Sequence, residues 1–292
     1  MPESVVAITN LSRRFGAKAA LNDVSLDVPR GSVFGLVGEN GAGKSTLIKH
    51  ILGLWRAETG AIRVFGVDPV ADPVSVLSRV GYLSEQPDLP EWMTVIEFMR
   101  YMQAFYPKWD PLYAEELRRQ FGLDRDKRIR VLSKGQRAKL GLLGAQAHRP
   151  DLLLLDEPSS GLDPIVRSDI LAAVIRTVSE EGRTVFFSSH LLEEIERVSD
   201  HIAMLHQGKL VLCGPLDEIK AQYRRMTLRF ETQQSTAPAV PGAVSVRGAG
   251  REWTIICNQA IKPIDGSHVI DDQAASLNDI FIGIAGGVHS LA

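Results

Sequence analysis

The sequence predicts an α/β protein: a mainly parallel sheet covered by helices, with an antiparallel β part at the N-terminus, an inserted helical subdomain and a small α+β extension at the C-terminus. Three observations predict it. Val33 to Val37, Leu152 to Leu155 and Thr184 to Ser188 are short runs bounded by turn residues and read as strands. The first two are each followed by a loop and a helix-like stretch, the order of strand, crossover and strand in a parallel sheet. Between these halves, residues 87–150 carry helix signals only, and past Tyr223 the composition shifts.

Taken in order, Val5 to Leu11 and Val24 to Val28 alternate as strands do, and Pro29-Arg30-Gly31 turns the chain into Val33 to Val37. A glycine-rich loop and the helical run Thr46 to Leu54 follow. Thr94 and Glu97 form a capping box, and Trp92, Ile96, Met99 and Phe105 fall near one helical face, so they are expected to form a core stripe that ends at Pro107. Asp110 with Pro111 opens a second helix that Gly122 closes, and Ser133 opens a third. After Leu152 to Leu155, Asp163 and Pro164 start a further helix that ends near Gly182. Met226 to Thr232 reads as a strand, Gln233 to Gly242 as a Ser/Thr/Pro-rich loop, and further short strands are expected beyond it. The expected division is a main domain over 1–222 and an appended one over 223–292. Roughly seventy residues barely sustain a core of their own.

Composition narrows the function. Of 292 residues, 45 % are hydrophobic and 23 % charged, ordinary for a globular chain, and the net charge of -2 supplies no basic footprint for nucleic acid. Cys213 and Cys257 stand far apart, which argues against a disulfide framework or a zinc site. The N-terminus lacks the apolar stretch of a signal peptide, and no apolar run approaches the roughly 18 residues of a spanning helix. Any membrane role is therefore expected to come through a partner.

Gly38-Glu39-Asn40-Gly41-Ala42-Gly43-Lys44-Ser45-Thr46 fits the P-loop pattern and sits between a predicted strand and a predicted helix, as a phosphate cradle requires. Gly38, Asn40, Gly41 and Gly43 let backbone N–H groups curl around phosphates, and the helix beginning near Thr46 offers its positive end. Lys44 is expected to neutralise the β- and γ-phosphates of ATP, and Ser45 to ligate Mg²⁺. Leu152 to Leu155 ends in Asp156 and Glu157. In P-loop enzymes an acid at that place holds Mg²⁺, which assigns the metal to Asp156 and leaves Glu157 to polarise the attacking water.

Leu132-Ser133-Lys134-Gly135-Gln136 precedes that strand, and here the sequence resembles the ATP-binding-cassette (ABC) ATPases, whose signature is Leu-Ser-Gly-Gly-Gln. Ser133 and Gln136 also form a capping box. The Ser133 hydroxyl, the Gly135 N–H and the helix dipole together make a second anion site. The resemblance covers about residues 4–222. It implies that Ser160-Gly161-Leu162-Asp163 crosses a dimer interface, that His190 is the switch histidine, and that Phe15 stacks on adenine. Two departures stand out. Glu85, followed by Gln86, takes the place where the family usually has glutamine, and either residue fits that place; a glutamate there could ligate Mg²⁺. Lys134 replaces a signature glycine, so that position needs no positive φ. A single cassette with a short extension looks like the bacterial exporter ATPases. That implies ATP hydrolysis, a head-to-tail homodimer, a separate transmembrane permease, and a cytoplasmic location on the inner face of the cell membrane. DNA-repair cassettes insert long coiled coils, and translation-associated ones carry two copies, whereas this chain has one copy and a short interval from Gln86 to Leu132.

Overall fold

The computed structural model describes residues 3–179, 182–258, 264 and 266–286. The chain divides into two compact units, Met1–Cys213 and Gly214–Ala292. Its elements begin with β1 (Ser4–Phe15), β2 (Lys18–Pro29), β3 (Val33–Val37), α1 (Lys44–Ile51), β4 (Thr59–Val64), α2 (Pro73–Leu77) and β5 (Val80–Leu83). The helical stretch follows as α3 (Val95–Gln103), α4 (Pro111–Gln120), a 3₁₀ turn at Ile129–Val131 and α5 (Lys134–Gln146). Next come β6 (Leu152–Asp156), α6 (Pro164–Ser179), β7 (Thr184–Ser189), α7 (Leu192–Val198), β8 (His201–His206) and β9 (Lys209–Pro215). The chain continues through α8 (Leu216–Gln222), β10 (Arg224–Gln234), β11 (Ala243–Cys257), β12 (Ser267–Ala274) and α9 (Leu277–Gly286).

The central sheet has the order β5-β6-β7-β3-β8-β9, and the pairs from β5 through β8 are parallel. Every residue of β3 and β6 is buried, which is why both read as unbroken apolar runs rather than alternating ones. Gly35 permits this burial on the α7 side, since a Cβ there would come within 2.6 Å of Ile195 Cγ2. The antiparallel sheet β2-β1-β4 buries Val6, Ile8, Leu21 and Val28 in the same core as Leu36, Leu47 and Leu154.

Local signals set the helix starts. Thr94 and Glu97 exchange the two hydrogen bonds of a capping box, as do Ser133 and Gln136. Asp110 accepts from the N–H groups of Leu112 and Tyr113, and Asp163 from those of Ile165 and Val166. The predicted stripe on α3 needs correction. Val95, Phe98 and Met99 are buried, while Trp92 and Phe105 are 68 % and 61 % exposed. The helix runs only from Val95 to Gln103, so both aromatics lie outside it, and Ile96 is only half-buried.

In the second unit β10 pairs with β11 and β12 on either side, over a core that includes Leu228, Phe230, Val246 and Trp253. β10 takes in Gln233, which the sequence assigns to a loop, and β11 is 15 residues long rather than short. Between Arg229 and Gln234 the register shifts so that β10 carries more residues than the facing stretch from Glu252 to Gly250 of β11, and β10 bulges there.

Leu154 is fully buried in β6, and Leu154→Ala is expected to cost about 2–5 kcal/mol. A urea titration would show it as a lower unfolding midpoint; an unchanged midpoint would mean that this strand does not anchor the core.

Candidate functional site

Because β3, β6 and β7 run parallel, their carboxyl ends open on one sheet edge, the place where open α/β sheets bind ligands. Val37 pairs with Ser189 and Asp156 with Ser188, so the loop after β3, the acids ending β6 and the residue after β7 converge. A cleft of about 440 Å³ lies there, lined by Phe15, Asn40, Gly41, Gly43, Lys44, Ser45, Thr46, Glu85 and Glu157, together with Lys18 and Ala20.

The glycine loop is built for close approach. Gly41 and Gly43 have φ of 81° and 112°, and a Cβ on Gly43 would sit 2.4 Å from the Ala20 carbonyl oxygen. Gly38 is just as tight, with its notional Cβ 2.5 Å from the Leu205 carbonyl oxygen. No side chain caps α1, so its first N–H groups face the loop without a side-chain acceptor.

Lys44 is 6 % exposed. Its Nζ donates to the carbonyls of Gly38 at 2.6 Å and Glu39 at 3.2 Å, and lies 2.9 Å from Glu157 Oε1. The other oxygen of Glu157 accepts from His190 Nδ1 at 2.6 Å and from the His190 N–H at 3.3 Å. A carboxylate only accepts, which makes Nδ1 the protonated ring nitrogen. Burial pushes the Glu157 carboxyl up, but the bond and charge of Lys44, joined by His190, hold it below the usual carboxylate range. Glu157 also has φ 49°, the left-handed region, and its N–H donates to Ser188 Oγ at 3.0 Å. The same hydroxyl donates to Asp156 Oδ1 at 2.7 Å.

The donor set suits ATP and its metal. A buried ammonium aimed at a glycine cradle suits a polyphosphate. A hydroxyl on Ser45 with the carboxylate of Asp156 suits Mg²⁺, which prefers one or two carboxylates and completes its shell with phosphate and water. Phe15 is 44 % exposed, with its ring 5.2 Å from that of Trp55 and the Arg13 guanidinium 5.0 Å away.

Other expected residues lie elsewhere. Ser133, Gly135 and Gln136 occupy the start of α5 and are not among the lining of the cleft. Gly135 is in contact with Val166 of α6, where a Cβ would come within 2.8 Å. Glu85 lines the cleft and accepts from Ser160 Oγ at 3.0 Å; it also borders, together with Gln86, Pro87, Arg137 and Leu162, a smaller cavity, and Gln86 is absent from the lining of the cleft. Lys134 Nζ donates to the Ser160 carbonyl at 2.8 Å. Lys18, Ala20 and Ser188 join the site although no motif of the sequence points to them. Lys18 reaches the cleft because it pairs with Phe15 across the short turn Gly16-Ala17, which is local in the sequence, whereas Ser188 meets Asp156 through strand register and leaves no signal in the linear chain.

This fold and site define a P-loop nucleotide triphosphatase. The chain belongs to the ABC transporter family, whose domain matches residues 21–160. It is 30 % identical to the ABC transporter ATP-binding protein YtrB of Bacillus subtilis, over 97 % of this chain and 99 % of the relative. With the ATP-binding protein NatA of the same organism it shares 36 % identity, over 77 % of this chain and 96 % of that one. A solved ATP-binding subunit of an ABC transporter superposes with a TM-score of 0.69 at 32 % identity, covering 75 % of this chain and 93 % of that one. The protein is thus an ATP-binding, ATP-hydrolysing subunit of the ABC class, with ATP as substrate and Mg²⁺ as its companion ion.

Lys44→Ala should abolish measurable ATP binding in calorimetry, and affinity equal to wild type would refute the phosphate role of this lysine. The same variant carries a pH signature. Glu157 titrates lower in the folded chain than in the unfolded one, so the pair stabilises the fold above the ordinary glutamate range and loses that contribution as pH falls through the depressed value. Without Lys44 the acid limb of the stability curve should be shallower.

Proposed function

We propose that two copies of the chain close head to tail around Mg-ATP and that this cycle drives a separate membrane-spanning permease. The observation behind this is the separation of the two anion-directed motifs: the P-loop lines the cleft, while Ser133, Gly135 and Gln136 open α5 outside its lining. A two-fold arrangement gives each P-loop the signature of the other copy with identical patches, the economical assembly for like subunits.

In this reading Lys44 and the N–H groups of the loop from Gly38 to Thr46 hold the phosphates, and Phe15 offers its face to adenine. Ser45 and Asp156, with Glu85 at hand, would hold Mg²⁺, whose charge neutralises the phosphate oxygens. Arrival of the phosphates draws Lys44 away from Glu157. Glu157 then accepts a proton from water as the water oxygen bonds to the γ-phosphorus and the bond to the β-bridging oxygen breaks. His190 holds Glu157 in line through its 2.6 Å contact and keeps Nε2 free for the γ-phosphate. Ser133, Gly135 and Gln136 of the other copy complete the phosphate shell, and Asp163 stands at the interface while it caps α6. Loss of the γ-phosphate removes the bridge, and the copies part.

Among the described residues no helix is long and apolar enough to cross a membrane, so a transport role needs a partner that does. Two surface features support one. Gln86 and Arg137 border a cavity beside the helical stretch, and Val74, Leu77, Phe105 and Tyr106 line an apolar groove, a match for an amphipathic segment of a permease. Docking there would place the chain on the cytoplasmic face of the membrane.

Glu157→Gln keeps the shape but takes no proton. Hydrolysis should fall by about 10²–10⁴ while ATP still binds, and light scattering should report a dimer in ATP and a monomer in ADP. Turnover near wild type would exclude Glu157 as the base, and a persistent monomer in saturating ATP would exclude nucleotide-driven closure of the isolated subunit. Ser133→Arg places a large side chain at the start of α5. It should leave ATP binding to the monomer intact and abolish turnover; equal loss of monomer binding would mean that the signature acts on its own chain's nucleotide.

A further inference from the structure

Glu194 is a carboxylate on α7 that the hydrolytic chemistry does not use, yet it is 4 % exposed. Its Oε2 accepts from Ser159 Oγ at 2.7 Å and from Ser189 Oγ at 2.9 Å, and its Oε1 lies 3.2 Å from Arg167 Nε. Both serines are 1 % exposed. Ser189 Oγ also accepts from the Leu191 N–H at 3.0 Å, and the Ser159 carbonyl from the Leu162 N–H at 3.2 Å.

The partners belong to three different segments. Ser159 follows Glu157 by two residues, Ser189 immediately precedes His190, and Arg167 lies on α6 just past Asp163. One buried carboxylate thus ties together the turn that carries Glu157, the strand end that carries His190 and the helix that Asp163 caps. A buried charge is retained only where it is compensated, and here Oε2 takes hydrogen bonds from both serines while Oε1 faces the Arg167 guanidinium as an ion pair, so losing both serines would strand Oε2. The segments are therefore held as one body.

We propose that Glu194 is a positioning residue for hydrolysis, a buried clamp that fixes the 2.6 Å contact between Glu157 and His190. The inference rests on the roles proposed above for those two residues. The clamp binds no phosphate and lies outside the lining of the nucleotide cleft, so its effect falls on turnover and spares nucleotide affinity. Without it, Ser159 loses its acceptor and Ser189 keeps only its cap on Leu191. The two segments then stay joined only through Ser188 and the Glu157–His190 contact itself, and a displacement of about 1 Å at the reacting groups is enough to cost on the order of 10² in rate.

The test uses the full chain with Glu194→Ala and Glu194→Gln. Arg167 keeps 34 % of its side chain exposed, so its charge still reaches water in either variant and the fold should survive, as a thermal melt would verify. Steady-state hydrolysis should show kcat of Glu194→Ala lowered by about 10²-fold, with KM for Mg-ATP held within about 3-fold. Glu194→Gln, which keeps an oxygen for both serines, should recover part of that loss. In a His190→Ala background, adding Glu194→Ala should cost less than about 3-fold more, because both act through the same contact. A lower melting temperature with unchanged kcat would make Glu194 merely structural and overturn the proposal. So would a full additive loss in the His190→Ala background. Should Glu194→Ala not fold, Ser159→Ala with Ser189→Ala removes the donors instead and should lower kcat in the same way; unchanged kcat there also overturns it. The outcome for Glu157→Gln judges the base independently, so failure of the clamp and failure of the base remain distinct.

Discussion

Everything at this site depends on the parallel register of β3, β6 and β7. Parallel strands point their carboxyl ends in one direction, so the phosphate loop, the two acids and the histidine emerge side by side although they are far apart in the chain. Burial on both faces holds that register: Leu152 to Leu155 and Phe186 and Phe187 are fully buried, and a slip by one residue would turn Asp156 and its neighbours to the wrong faces.

The ion pair of Lys44 with Glu157 is the electrostatic expression of that convergence. Both side chains are almost fully buried, and removing one partner of such a pair typically costs about 3–5 kcal/mol because the other charge is left without compensation. Glu157 adds backbone strain at φ 49°, a conformation that costs a non-glycine residue about 1–3 kcal/mol and concentrates where function needs it. Ser188 helps to hold this arrangement, with its hydroxyl shared between the Glu157 N–H and Asp156. The strain and the charge are kept by surroundings that leave the acid little alternative.

Helix starts divide the labour. α3, α4, α5 and α6 each begin on a side-chain acceptor, Thr94, Asp110, Ser133 and Asp163, which satisfies N–H groups that would otherwise be orphaned. α1 begins on Gly43 without one, as α7 and α8 also do without a side-chain cap, but α1 opens with the buried Lys44 directly after the glycine loop. An anion is the natural complement to that end.

The sequence by itself determined the chemistry and most of the local structure. The glycine loop before Lys44, the acids after a run of leucines, the capping boxes and the proline at the start of α6 are all encoded within a few neighbouring residues, so their spacing alone carries them. Other features required the folded chain. That Glu85 lines both the cleft and the neighbouring cavity, while Gln86 lines only the latter, follows from the placed backbone and not from the spacing of two adjacent residues. Trp92 and Phe105 followed the helical period on paper, yet the helix is shorter than the pattern and both stand exposed. The partnership of Ser188 with Asp156, and of Glu194 with Ser159 and Ser189, belongs to the tertiary structure alone. These contacts join residues more than thirty positions apart, except for Ser189 and Glu194, and they arise from sheet register and burial, which no local spacing records.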